Sequence, residues 1–304
     1  MKPLQASSGD LIADRRADFA EMLHAAGDHA PAADLMLEAL ALAPGWAAGW
    51  FLLGEMQEAA GRIEQAALAW NKVLALDPSD RLGATLRLGL IGEATDLATP
   101  PSAFVETLFD QYADTFDAAL VEKLAYRVPA LLSEAIHLQG GRMFGLALDL
   151  GCGTGLMGEM LRPFVERLEG YDISASMLKK AEAKRLYDHL AKADLQVFSH
   201  SGPKADLITA ADVFMYLGAL DNIFGRIAPL LAADGLFAFS VEKLAAPGDY
   251  ALQPSRRYAH SESYLRRLLS VNGLAVLSLE EKVIRKDRLE PVVGLIVVAR
   301  PFAN

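Results

Sequence analysis

The stretch LALDLGCGTGLMGEML, residues 146–161, constrains this chain more than any other. An apolar run ends in Asp149, glycines follow at 151, 153 and 155, and a helical pattern begins directly after them. A strand feeding a glycine turn that opens a helix is a ligand-binding arrangement of α/β folds, because glycine lets the backbone approach a bound molecule closely. Read literally, residues 153–158 are G-x-G-x-x-G, the dinucleotide-binding pattern. The acid ahead of them argues otherwise. A carboxylate two residues before the first glycine opposes a pyrophosphate, so the loop suits a ligand that brings positive charge.

From Phe144 onward, short apolar runs at 145–150, 167–172, 189–193, 205–212, 235–241, 274–283 and 291–299 read as strands. Amphipathic segments separate the first six, which predicts a parallel, doubly wound sheet. Only residues 284–290 lie between the last two, too few for a crossover helix, so the final strand should enter antiparallel. This plan, together with LDLGCGTG, resembles the class I S-adenosylmethionine-dependent methyltransferases, with their Rossmann-like seven-stranded sheet. The resemblance implies S-adenosylmethionine as cofactor and S-adenosylhomocysteine as product. Asp149, Gly151, Cys152, Gly153 and Gly155 then form the cofactor loop, the acid favouring the cationic end of the ligand. Asp172 stands nineteen residues after Gly153, a spacing that suits an acid chelating two ribose hydroxyls. Nicotinamide enzymes place an acid similarly, so Asp172 indicates a nucleoside without naming it. Ile173 and Met177 are candidates to flank the adenine ring, or are core. Asp194 and Leu195 fall where the family meets the adenine amino group, although Asp194 reads equally as a solvated helix cap. Ala211 and Asp212 match the segment beneath the methionine part, with Tyr216 facing the acceptor.

Residues 1–98 carry an internal repeat. Gly27 and Gly61, Ala32 and Ala66, Met36 and Trp70, and Pro44 and Pro78 each stand 34 residues apart. The second copy has Trp50, Leu53, Gly54, Gly61, Ala66, Trp70 and Pro78 in the order of the tetratricopeptide repeat, which it resembles. Small residues at Gly54 and Ala66 allow close helix approach, and residues 80–94 read as a capping helix. The resemblance implies a small all-α domain that displays a groove for a protein partner, supports self-association, or buttresses the second domain.

Pro100-Pro101 breaks the pattern, giving a boundary near 98/99 and a second domain over 99–304. Residues 102–140 form a helical preamble to a core over 141–304. Phe104, Phe109, Tyr112 and Phe116 recur at helical spacing, either as packing or as a lid that places Tyr112 and Phe116 over a ligand. On the acceptor side, Glu242 ends a strand, and a long polar-aromatic loop then carries Arg257, Tyr258 and His260. His260 is the candidate base because imidazole titrates near neutrality, with Tyr112 and Tyr216 as the other candidate catalytic groups. Arg257 can bind an acceptor carboxylate bidentately or pair with Glu242. Arg285 and Arg288 read as a solvated turn. Segments spanning nearly the whole chain look like a bacterial group of methyltransferases with amino-terminal tetratricopeptide repeats.

Composition narrows the partners. A net charge of −10 opposes nucleic acid. Mean hydropathy is high at +0.20, but the longest uncharged run, 39–54, is too short for a membrane span and contains Pro44-Gly45. No signal-peptide pattern opens the chain, so a cytoplasmic protein is expected. The lone Cys152 excludes an internal disulfide and a thiolate metal cluster, and no metal is expected. A small-molecule acceptor is the favoured substrate. The alternatives are a protein target recruited by the repeats, and a repeat protein with a non-catalytic cofactor pocket.

Overall fold

The computed structural model describes residues 7–94, 99–118, 124–287 and 289–302, and its chain separates into compact units over Met1–Leu108 and Phe109–Asn304. The division falls at 108/109, inside a helix, rather than at the 98/99 boundary that the prolines suggest.

The first unit contains two helix–turn–helix pairs, α1 (Leu11–Ala25) with α2 (His29–Leu42) and α3 (Ala47–Ala59) with α4 (Ile63–Leu76), followed by α5 (Ala84–Leu90). Asp10 caps α1 by accepting from the Ile12 and Ala13 amides. Gly27 and Gly61 take the left-handed conformation at equivalent turns. The packing also repeats, since Ala32 and Ala66, like Met36 and Trp70, are wholly buried. Gly54 is glycine for contact: a Cβ there would lie 2.2 Å from the Trp70 indole nitrogen. Trp70 thus fits under α3 and donates to the Phe51 carbonyl at 3.3 Å.

In the second unit, α6 (Ser102–Tyr112) runs across the division, and a single turn, α7 (Phe116–Ala118), and α8 (Val128–His137) precede the sheet. Strands β1 (Phe144–Leu150), β2 (Val165–Asp172), β3 (His189–Lys192), β4 (Ala205–Ala210) and β5 (Leu231–Lys243) lie parallel in the order β3-β2-β1-β4-β5. Helices α9 (Leu156–Leu161), α10 (Ala175–Lys184) and α11 (Asp221–Ile227) make the crossovers after β1, β2 and β4. Beside β5 lies β9 (Glu290–Pro301), antiparallel to it and to β8 (Leu274–Asp287), the β8–β9 pairing being the one that their short connection requires. Two strands were not foreseen. The segment expected to be a long loop folds into a hairpin of β6 (Tyr250–Leu252) and β7 (Tyr258–His260), which extends β5 before α12 (Glu262–Val271). Three-residue strands carry too little alternation to register as a period. Among the described residues, no helix is long and apolar enough to cross a membrane.

Candidate functional site

At the carboxyl end of β1 the chain turns through Gly151, Gly153 and Gly155, all at positive φ. The Gly151 and Cys152 amides both donate to the Tyr171 carbonyl at 2.7 and 3.0 Å, tying the loop to β2. Asp172, ending β2, completes the tie. One of its carboxylate oxygens accepts from the Gly153 amide and the other from the Ser174 amide, each at 2.8 Å. A Cβ on Gly151 would lie 2.4 Å from the Val213 side chain, so this backbone passes directly under the segment after β4. Cys152 is buried and its thiol is pushed well above the ordinary range by burial, which leaves it no role as a nucleophile.

Asp149 lies beneath the loop and is buried. Thr209 on β4, its register partner, donates to one oxygen at 2.8 Å and the Tyr187 hydroxyl to the other at 2.7 Å. Burial pushes the Asp149 and Asp172 carboxyls up to about 6, and each raises the other or is raised by a further aspartate. No basic side chain pairs with either among the described residues. Two buried acids without a cation fit a ligand that brings a sulfonium, an ammonium and ribose hydroxyls, and would repel a pyrophosphate. This is the fit expected of S-adenosylmethionine.

Tyr187 is the residue that sequence reasoning missed, and it explains Gly158. A Cβ on Gly158 would lie 2.3 Å from the Tyr187 hydroxyl, and one on Gly170 would lie 2.9 Å from its ring. The final glycine of the literal pattern therefore makes room for the phenol that holds Asp149, and has no phosphate to meet. Gly158→Ala is expected to lower thermal stability by about 1–3 kcal/mol, because the ring cannot move without losing the Asp149 bond. In a Tyr187→Leu background the same change should become neutral or stabilising, since alanine is the better helix former by about 1 kcal/mol. Equal losses in both backgrounds, measured by thermal melts, would refute this account.

The preamble is docked over the glycine loop. Asp110 accepts from the Ser174 hydroxyl at 2.6 Å and the Ser176 amide at 3.2 Å. Asp114 pairs with Lys180 at 2.7 Å, Asp117 with Lys184 at 3.0 Å, and the Thr154 hydroxyl also donates to Asp117. Phe116 lies 3.9 Å from where a Cβ on Gly153 would stand. It meets Phe109 edge-on, and Phe109 meets Tyr216 in the same way, with centroids 5.9 and 5.1 Å apart. The aromatic stripe is thus partly a cover, through Phe109 and Phe116. Tyr112 is half-buried, and no described contact ties its side chain to this cluster.

Several remaining candidates sit differently from expectation. Met177 is wholly buried in the core, whereas Ile173 is half-exposed beside Asp172. Asp194 caps a short 3-10 turn by accepting from the Gln196 amide, and Leu195 packs against the main core. Ala211 packs on the second core layer. Asp212 holds φ +60 with its amide donating to Ser240 at 2.9 Å.

Arg285 is the main correction. It is no solvated turn residue but lies buried between two acids, with Nη1 2.6 Å from Asp212 and Nη2 hydrogen-bonded to Glu242. Glu242 is therefore hydrogen-bonded to Arg285, with Arg257 acting on it through charge alone, and burial raises its carboxyl. Tyr258 is buried in the sheet rather than exposed on a loop. His260 is withdrawn as a base: it is wholly buried, its Nε2 donates to the Gly218 carbonyl at 2.8 Å, and burial holds the ring down at about 4. The β6–β7 hairpin accounts for both, because it folds the polar loop into the sheet. Tyr216 stays half-exposed at the site. Arg288 lies outside the described residues. Among the described residues there is no cluster of three metal-ligating side chains.

Comparison with known proteins agrees with this geometry. Residues 148–237 match the family described as a methyltransferase domain. A "probable S-adenosylmethionine-dependent methyltransferase" of Saccharomyces cerevisiae is 26% identical over 157 residues, 49% of this chain and 53% of that protein. Methyltransferase-like protein 27 of Homo sapiens is 33% identical over 117 residues, 38% and 46% of the two chains. The chain spans about half the length of the curated relatives it matches. Among solved structures, a Haloferax volcanii protein in complex with the Trm112 methyltransferase activator superposes with TM-score 0.51 at 18% identity, covering 64% of this chain and 97% of that one. Residues 148–237 thus match a methyltransferase domain, and the second unit has the Rossmann-like, mostly parallel sheet seen in class I S-adenosylmethionine-dependent methyltransferases. S-adenosylmethionine is the cofactor of that class.

Proposed function

We propose that the protein transfers a methyl group from S-adenosylmethionine to a small-molecule acceptor. The observation that carries this reading is the pair of uncompensated buried acids, Asp149 and Asp172, built around a glycine loop. Bound there, the cofactor supplies an activated methyl on a sulfonium. The chain's part is to hold, align and exclude water. Asp172 accepts the ribose hydroxyls on the lone pairs its two amide donors leave free. The Gly151–Gly153 backbone lies against the methionine part, with Ala211 and Asp212 alongside. Asp149 acts through its field, since neither oxygen reaches the surface. The Phe109–Phe116 cover favours a small acceptor over a broad macromolecular surface. We read the first unit as a tetratricopeptide pair on its 34-residue spacing and on Gly54 beneath Trp70, a surface for a protein partner or a second copy.

The test is calorimetric titration with S-adenosylhomocysteine and S-adenosylmethionine from pH 4 to 8. Both acids titrate near 6 in the fold, above their ordinary 3.8, so the folded state holds protons between these values that the unfolded chain has released. Stability of the free protein should therefore fall as pH rises from about 4 to about 6, and level off above. Affinity for S-adenosylmethionine should rise about tenfold through the same window, as the acids ionise to meet the sulfonium. A flat profile, or no binding, would refute the assignment.

A further inference from the structure

At the ends of β4 and β5 lies a cluster of polar groups: Tyr126, Asp212, Tyr216, Glu242, Arg257 and Arg285. Its charges do not pair evenly. Arg285 engages both carboxylates, one at each terminal nitrogen. Arg257 is left with little. Its side chain is only 17% exposed, and its one ion pair among the described residues is with Asp287 at 3.7 Å. That distance is too long for a hydrogen bond, and Asp287 is itself half-exposed. Among the described residues the Arg257 guanidinium makes no hydrogen bond at all, although it carries five donors.

The position is built. The turn before β7 is closed by the Gln253 amide donating to the Arg257 carbonyl and the Arg256 amide donating to the Gln253 carbonyl, both at 2.8 Å. Arg256 takes φ +61 there, and β7 is hydrogen-bonded to β5 beside Glu242. Arg257 is therefore fixed at the rim of the sheet. The strand that Arg257 leads into, β7, packs against the short 3-10 turn Phe214–Tyr216 after β4. From Tyr216 the edge-on ring contacts run through Phe109 and Phe116 to the glycine loop, so the guanidinium stands on the acceptor side of the cofactor.

We infer that Arg257 anchors a carboxylate of the methyl acceptor, on a part of the acceptor separate from the atom that is methylated; this rests on the methyltransferase reading. A nearly buried guanidinium with unfilled donors is satisfied best by a planar anion bound through two parallel hydrogen bonds. A dianion such as phosphate fits less well, because the carboxylates of Asp212 and Glu242 lie in the same cluster and already draw on its positive charge. The clamped carboxylate is not the nucleophile. Its oxygen lone pairs and charge are drawn to the guanidinium, which lowers their reactivity toward a sulfonium methyl. The acceptor is accordingly a small acid with a second functional group that receives the methyl.

The experiment uses the full chain saturated with S-adenosylhomocysteine and titrates benzoate and its neutral isostere benzamide, by calorimetry or ligand-observed NMR. Benzoate should bind at least tenfold more tightly than benzamide. Arg257→Gln should remove that preference, and Arg257→Lys should keep part of it, while S-adenosylhomocysteine affinity stays within twofold in both variants and so reports an intact fold. Equal binding of benzoate and benzamide to the unaltered protein, no benzoate binding, or a preference that survives Arg257→Gln would overturn the inference with the cofactor reading intact. Failure of the unaltered protein to bind S-adenosylhomocysteine would overturn the reading beneath it, and the inference with it.

Discussion

Replacing Arg285 with Met is expected to destabilise the second unit by about 3–5 kcal/mol, the cost of stranding buried acids by removing their partner. Two carboxylates are stranded, Asp212 and Glu242, and Asp212 already sits at φ +60, a conformation that a non-glycine residue holds only under constraint. The loss should depend on pH in a definite sense. Without the guanidinium, the Glu242 carboxyl, which burial already raises and Arg285 lowers, is pushed further up in the folded state. The folded variant then binds protons that the unfolded chain does not, and its stability falls as pH rises. The gap to the unaltered protein should be widest near pH 8 and shrink toward pH 5. Adding Glu242→Gln to Arg285→Met should recover about 1 kcal/mol or more at pH 8, because one stranded charge is gone. Urea unfolding at both pH values measures this. All three tryptophans, Trp46, Trp50 and Trp70, lie in the first unit, so their fluorescence follows that unit while circular dichroism follows the loss in the second. A destabilisation under 1 kcal/mol, or one equal at pH 5 and 8, would show that the triad does not carry the structure.

How much of this was legible in the sequence follows from how local each feature is. Asp149, the three glycines and Asp172 lie within one strand–turn–helix–strand unit, and consecutive residues fix their geometry, so the motif places them. The seven principal strands and the antiparallel last one were equally legible, because crossover length decides direction. Arg285 was not legible. It meets Asp212 across 73 residues of chain, and that meeting depends on β9 inserting between β5 and β8. Without the register of β8, an arginine in a charged stretch reads as solvated. His260 and Tyr258 misled for a related reason: chemically suggestive side chains sat in a segment whose short strands gave no periodic signal. Tyr187 left only an indirect trace, in Gly158 and Gly170, whose missing side chains mark where another group enters.

Asp172→Asn should weaken S-adenosylhomocysteine binding at least 100-fold while leaving the fold nearly as stable as before. Two effects on stability oppose one another. At pH 7.5 the folded protein ionises a carboxyl that burial holds near 6, a penalty on the order of 3 kcal/mol that the neutral amide removes. Against this, the amide nitrogen cannot accept from one of the two backbone donors, Gly153 or Ser174, and a buried unmet donor costs about 1–3 kcal/mol. The terms are similar in size, so the melting temperature should move by only a few degrees. Binding has no such compensation. Two ribose hydroxyls lose a charged acceptor, at about 1.5–3 kcal/mol for each such bond, and the misfit at Gly153 loosens the loop that lies against the methionine part. A 100-fold loss corresponds to about 2.7 kcal/mol, which one such bond nearly supplies and two exceed. Asp194→Ala is the comparison. Its carboxylate caps a half-exposed turn, so its removal should cost less than tenfold. Calorimetry on the two variants beside the unaltered chain decides the matter: if Asp172→Asn binds within fivefold of normal, the ribose is held elsewhere, and the glycine loop must be reread around another acid.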